Sequence, residues 1–182
     1  MTIKIRLMKK TDLPILARIY TKVYAKLDIG EHWTNNTAEL MLSYWLKKQP
    51  DLALVAELNN EVVGAFTSAI KPWWDGNHLM DGELFVSLKH QNKGIGKELL
   101  KTLFKKALEK YNATSFDAFT YTKTEFPLSW YDSLGIKVNK DYAVISGSIT
   151  EALTKMREKN SIGKNTQHNE ARLLKKDRNA YK

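Results

Sequence analysis

The chain contains no cysteine, which removes disulfide scaffolds, thiolate metal sites and cysteine nucleophiles together and leaves any chemistry to oxygen and nitrogen groups. Nor does any stretch approach the ~18 consecutive apolar residues that a membrane span requires. The N-terminus, Met1-Thr2-Ile3-Lys4-Ile5-Arg6, alternates apolar with polar residues where a secretory signal would show a basic cluster and an apolar block, so the expected location is the cytoplasm, with no membrane partner. His32, His78, His90 and His168 lack metal-ligand spacing, and no Gly-x-Ser-x-Gly elbow is present, so no metal site and no serine nucleophile are expected. Internal repeats are absent too.

What is present is one domain's worth of chain. A length of 182 residues buries roughly 70% of its unfolded surface around a single core. Hydrophobic residues at 43% and charged residues at 27% are those of a soluble globular protein. The net charge of +9 is unevenly spread: residues 155–182 hold nine Lys/Arg against three Asp/Glu, two thirds of the excess. This divides the chain into an expected domain over 1–150 and a basic extension over 151–182, partly helical or disordered. A solvated extension is one reading of that tail; an arm docking on nucleic acid or ribosome is the other, although the tail lacks the aromatic stacking residues of a specific reader.

Ile3 to Leu7 alternates as a strand, and Leu13, Leu16, Ala17, Tyr20, Val23, Tyr24 and Leu27 then recur at helical spacing after Thr11-Asp12 and Pro14. Asn36 with Glu39 reads as a capping box opening a second helix through Lys48, ended by Pro50. Strands over 52–58 and 62–70 flank Asn59-Asn60, a tight hairpin turn. A strand over 78–88 leads into a helix whose apolar face runs from Ile95 through Leu99, Leu103 and Ala107 to Tyr111. A strand over 115–122, a short helix between Pro127 and Gly135, and a last strand pair near 136–138 and 142–149 complete the expected order.

His90-Gln91-Asn92-Lys93-Gly94-Ile95-Gly96-Lys97 joins a buried strand to an amphipathic helix. Small residues let the backbone approach a ligand closely there, and the free N–H groups of the helix start attract an anion such as phosphate. Lys93 and Lys97 add positive charge and Gln91 a hydrogen-bonding amide. The turn is neither a Walker loop nor a Rossmann fingerprint; a purely structural strand-to-helix turn is the other reading.

The run from Leu84 to Leu100, with Gln91-Asn92-Lys93-Gly94-Ile95-Gly96 at its centre, resembles the acetyl-CoA motif of the GNAT superfamily of N-acetyltransferases, and the element order agrees from Ile3 to about Ile149. Leu88 stands where that family often has proline and Asn92 where it often has glycine; asparagine is the side chain that best tolerates left-handed geometry there. The resemblance implies an α+β, acyl-CoA N-acyltransferase fold, a mixed, mostly antiparallel central sheet flanked by helices. It implies acetyl-CoA as co-substrate, its pyrophosphate on the Gln91, Asn92, Lys93, Gly94, Ile95, Gly96 and Lys97 turn, and its thioester carbonyl on backbone N–H groups near Phe85 and Val86, where the fourth strand splays from its neighbour. An oriented N–H there stabilises the charge that the oxygen gains when an amine attacks.

Ser129-Trp130-Tyr131-Asp132-Ser133-Leu134-Gly135-Ile136 is similar to a second family signature, whose tyrosine protonates the departing CoA thiolate. Tyr131 matches it, and a phenol with a reference pKa near 10 still holds its proton at pH 7. Thr124 and Pro127 depart from that signature. Glu83, just before the expected carbonyl-binding amides and on one strand face with Asp81, is the candidate base, water chains being the alternative. Asp28-Ile29-Gly30-Glu31-His32-Trp33 and Trp73-Trp74-Asp75 mix acids with aromatics and suit a cationic acceptor. The expected activity is direct transfer to a primary amine, a small cation such as a polyamine or aminoglycoside, or a peptide or protein amine. Monomer and homodimer both stay open, and the rival class is a non-catalytic module of the same shape that docks through its tail.

Overall fold

The computed structural model describes residues 2–157; the basic tail beyond them, and with it the nucleic-acid or ribosome arm, lies outside the described residues. The chain divides into two units, Met1–Lys123 and Thr124–Lys182.

In the first unit β1 (Ile3–Leu7), β2 (Ala53–Leu58), β3 (Glu61–Trp73), β4 (Gly76–Val86) and β5 (Ala113–Asp117) form one sheet in that order. Neighbours from β1 to β4 run antiparallel and β5 runs parallel to β4, so the mixed, mostly antiparallel sheet is as the sequence indicated. Asn59 and Asn60 turn the β2–β3 hairpin at φ 50° and 63°, a geometry asparagine tolerates better than other side chains. The helices are α1 (Leu13–Leu27), α2 (Asn35–Lys48) and α3 (Ile95–Tyr111).

Leu16 and Tyr20 of α1 and Leu42 of α2 pack on Val55, Ala65 and Phe85 of the sheet. Phe66, next to Ala65 and so on the opposite face, meets Phe116, which in turn meets Phe104 of α3 at 5.0 Å. One helix face on each side of the sheet thus removes both sheet faces from water. Helix α2 starts earlier than the Asn36/Glu39 reading. Thr34 accepts the Thr37 N–H at 3.1 Å, and the Thr37 hydroxyl accepts the Thr34 N–H at 3.0 Å, a reciprocal cap that two threonines supply as well as Ser and Glu do.

The feature that positions the site is a bulge in β4. Asp81 (φ 60°) and Gly82 (φ 107°) together oppose the single residue Ser68, between the pairs Ala69–Met80 and Thr67–Glu83. A bulge bends its strand, and here the pairing of β4 with β5 ends at Met80–Asp117, immediately before it. Glu83 to Val86 continue against β3 alone. The expected strand over 115–122 therefore stops at Asp117, because the neighbour it would pair with has turned away. A Cβ on Gly82 would stand 1.7 Å from the Thr67 carbonyl oxygen. Gly82→Ala should cost roughly 2–4 kcal/mol, measured as a lower denaturation midpoint.

In the second unit α4 (Leu128–Ser133) is closed by Gly135 at φ 79°, with Gly135 N–H on Asp132 O and Ile136 N–H on Tyr131 O, the left-handed cap expected of glycine. Residues 149–157 are helical, the Ser148 hydroxyl accepting the Glu151 N–H. The expected strand pair at 136–138 and 142–149 is not formed. A strand needs a ladder and a covered face, whereas Val144 and Ile145 are 70% and 94% exposed and none of the described residues from 124 onward is buried. Among the described residues no helix is long and apolar enough to cross a membrane.

Candidate active site

Ladder geometry decides which amides the parting of β4 and β5 uncovers. Ser87 donates its N–H to Val63 O at 2.8 Å, and antiparallel pairs alternate in direction. Phe85, paired with Ala65, therefore turns its N–H toward β3. Val86, between the two, turns its N–H and C=O away, and the C=O accepts from Gln91 Nε2 at 3.0 Å. This corrects the expectation for Phe85: its amide belongs to the β3 ladder, and its buried ring packs edge-on against Tyr20 at 5.1 Å. The amides on the open edge are those of Val86 and, two residues back, Leu84.

The turn after β4 is built to hold backbone N–H groups outward. Leu88–His90 form one tight helical turn, Asn92 (φ 59°) and Gly94 (φ 79°) reverse the chain, and α3 begins at Ile95. Gln91 and Lys93 serve the turn itself, Gln91 tying it to β4 and Lys93 Nζ bonding Lys89 O at 3.0 Å. The Ile95 side chain is buried and leaves only its amide outward. The first bond of α3 runs from Glu98 N–H to Gly94 O, so the N–H groups of Ile95, Gly96 and Lys97 have no acceptor within the helix. Gly96 has ordinary helical geometry and nothing within 4 Å of where its Cβ would stand. Folding does not require glycine there, whereas an anion resting on these amides does. The residues fit a diphosphate.

Glu83 is the first residue past the bulge. Its Oε2 accepts two phenols, Tyr20 at 3.0 Å and Tyr24 at 2.8 Å. Among the described residues no buried side-chain oxygen lacks a partner, and no described group bonds Oε1, so this second oxygen opens to solvent. Burial, opposed by the two phenols, lifts the Glu83 pKa above the ordinary glutamate range. The same burial and the neighbouring carboxylate raise Tyr20 and Tyr24, which stay protonated donors. Asp81 does not share this arrangement: the bulge breaks the alternation that would have put it on one face with Glu83, and it lies in the fields of Lys48 and Lys71.

The loop between α1 and α2 comes to the same place. Trp33 packs edge-on against Tyr20 at 5.2 Å, and the Glu31 carboxylate accepts from Trp33 Nε1 and from the Tyr121 hydroxyl. Tyr121 in turn faces Tyr24 at 6.3 Å. Neither Glu31 nor Glu83 has an ion-pair partner among the described residues, in a chain of net charge +9. The other acid–aromatic segment, Trp73-Trp74-Asp75, caps the opposite end of β4, about 30 Å from Val86 at ~3.3 Å per residue. It does not line this site. Tyr20 and Tyr24 were legible only as apolar helix positions and Tyr121 only as part of the expected 115–122 strand, yet two tyrosines four apart on one helix face imply a shared polar partner.

Tyr131 lies in α4 of the second unit, its N–H on Pro127 O and its ring 5.0 Å from Trp130. Among the described residues no cluster of three His, Asp or Glu could hold a metal.

The acetyltransferase (GNAT) family model matches residues 15–135, which span most of α1, α2, strands β2 to β5, the glycine turn and α4. The chain belongs to the GNAT acetyltransferase family. No curated protein sequence matches it. Its fold is similar to that of an integron cassette protein from the mobile metagenome of V. cholerae (TM-score 0.67, 21% identity, 85% of this chain and 99% of that one). A predicted acetyltransferase with acetyl-CoA from Clostridium acetobutylicum gives a TM-score of 0.64 at 15% identity, over 80% of this chain and 96% of that one. The ribosomal-protein-alanine N-acetyltransferase of Brucella melitensis biovar Abortus 2308 gives 0.59 at 21%, over 82% and 100%. At such identities the likeness is one of fold. The family's chemistry, acetyl transfer from acetyl-CoA, is the activity class of this GNAT chain.

Proposed function

We propose that this GNAT protein is an N-acetyltransferase that moves an acetyl group from acetyl-CoA directly to a primary amine of a small cationic acceptor, polyamine- or aminoglycoside-like. The observation that carries the reading is Glu83, a half-buried carboxylate with one oxygen tied to two phenols and the other open, three residues before the outward amide of Val86. Acetyl-CoA supplies the thioester. The amides of Ile95, Gly96 and Lys97 receive its diphosphate at the positive end of α3, and the Val86 N–H stabilises the charge that collects on the carbonyl oxygen. Glu83 Oε1 takes the proton an ammonium must lose before it attacks. Tyr131 returns a proton to the CoA sulfur. With no cysteine in the chain, one-step transfer with both substrates bound needs no acyl-enzyme. The unpaired charges of Glu31 and Glu83 among Trp33, Tyr24 and Tyr121 favour a cationic acceptor through charge pairing and cation–π contact.

Calorimetry with acetyl-CoA, followed by thiol release across amines and peptide amines, tests the reading. Saturable binding and release with cationic small amines are expected. Gly96→Val should weaken acetyl-CoA roughly tenfold or more by filling the space over the amides, with its melting temperature unchanged or higher because glycine is a poor helix former. Equal acetyl-CoA affinity of wild type and Gly96→Val removes the turn from the site. Release with peptide amines alone replaces the small acceptor by a peptide, and absence of acetyl-CoA binding leaves a non-catalytic module.

A further inference from the structure

The hydroxyls of the two tyrosines on Glu83 have no part in the reaction as proposed, and their arrangement is too specific for packing. Tyr20 and Tyr24 stand four residues apart on α1, which places them on one helix face. Their rings stack at 4.0 Å, and both hydroxyls converge on the same carboxylate oxygen, Oε2. Phenylalanine at either position would fill the same core volume, so packing alone calls for no hydroxyl. A carboxylate that accepts two donors on one oxygen is held against rotation, with its other oxygen left as the proton acceptor. Hydrogen bonds to the charged form also favour that form, in opposition to burial.

We infer that Tyr20 and Tyr24 are positioning residues that fix which oxygen of Glu83 takes the acceptor's proton and set the carboxylate's proton affinity. The inference rests on the reading of Glu83 as base. The surroundings agree in sign. The titratable groups that act on Glu83 are Tyr20 and Tyr24 from α1, Glu31 from the following loop, Tyr121 beyond β5 and, from across the bulge in its own strand, the charge of Asp81. Glu31 and Asp81 disfavour charge on Glu83, and no Lys or Arg pairs with Glu83 among the described residues. The α1 hydroxyls are therefore the groups that favour the charged form of this half-buried carboxylate against burial. Thr67 contributes on the backbone side, its hydroxyl accepting the Glu83 N–H at 3.3 Å.

The test is Tyr24→Phe, with Tyr20→Phe as a second variant, in the full chain. Removing a donor to the ionised form raises the Glu83 pKa. The acid limb of the kcat/KM profile should move to higher pH by about one unit, and by more in the double variant. The carboxyl titration of Glu83, followed by carbon-13 NMR without turnover, should move by the same amount, with acetyl-CoA affinity within twofold of wild type. A rate that falls while limb and titration midpoint stay in place reduces the tyrosines to packing and overturns the inference. The reading beneath it fails separately, through full activity of Glu83→Gln; a shifted titration midpoint in Tyr24→Phe would then support the tyrosines' hold on the carboxylate's proton affinity, and an unshifted one would overturn it.

Discussion

Glu83→Gln is expected to lower kcat/KM for a primary amine by roughly 10²–10⁴-fold, the range that a positioned general base supplies. The substitution is nearly isosteric, and its amide oxygen can still accept from Tyr20 and Tyr24 while the amide nitrogen takes the open position. What is lost is the capacity to hold a proton where Oε1 stood. Acetyl-CoA affinity and melting temperature should stay at wild-type values, since Glu83 touches neither the Val86 amide nor the amides of the glycine turn. The wild-type profile carries a second signature. Because burial raises the Glu83 pKa, the proton-accepting form is lost as pH falls through that raised value, so activity should fail above the ordinary glutamate region near 4.3. Turnover by Glu83→Gln at the wild-type rate, with an unchanged acid limb, would hand proton removal to water.

The other large effect is expected at Tyr131. Tyr131→Phe should reduce kcat by about 10²-fold or more while leaving acetyl-CoA binding intact, since a lost general acid acts on the chemical step and not on ground-state binding. The local fold gives no reason for the variant to unfold: α4 is held by the Pro127 and Gly135 backbone bonds, which a phenylalanine keeps. Single-turnover measurement separates the proton-transfer step from product release. A kcat equal to wild type in that experiment would take Tyr131 out of the mechanism.

These two residues were singled out in the sequence for different reasons. Tyr131 was reached through a local signature, Trp130-Tyr131 ahead of Leu134-Gly135, whose glycine cap the structure forms as expected. Glu83 was reached by its position before the amides, with an argument from strand alternation that the bulge at Asp81-Gly82 invalidates. Asp81 and Glu83 differ in surroundings because two residues there oppose one, which period-two reasoning does not detect. Of the two amides expected at the opening, Phe85 and Val86, the sequence could not tell which turns toward β3, for a related cause. Which N–H groups face an opening depends on the phase of the ladder with β3, and the phase is set by pairing with residues some twenty positions away.

The sequence by itself determined the order of the elements up to β5, the Asn59-Asn60 hairpin, the glycine turn at the start of α3 and the α4 cap. All of these follow from local patterns: apolar period, left-handed tolerance of Asn and Gly, and capping chemistry. Only the tertiary structure decided that Glu31 reaches the Glu83 site while Trp73-Trp74 does not, that Tyr20 and Tyr24 share one carboxylate oxygen, and that residues 136–148 form no strands. Each of these depends on contacts between residues distant in the chain, where burial and pairing, not local preference, set the free energy.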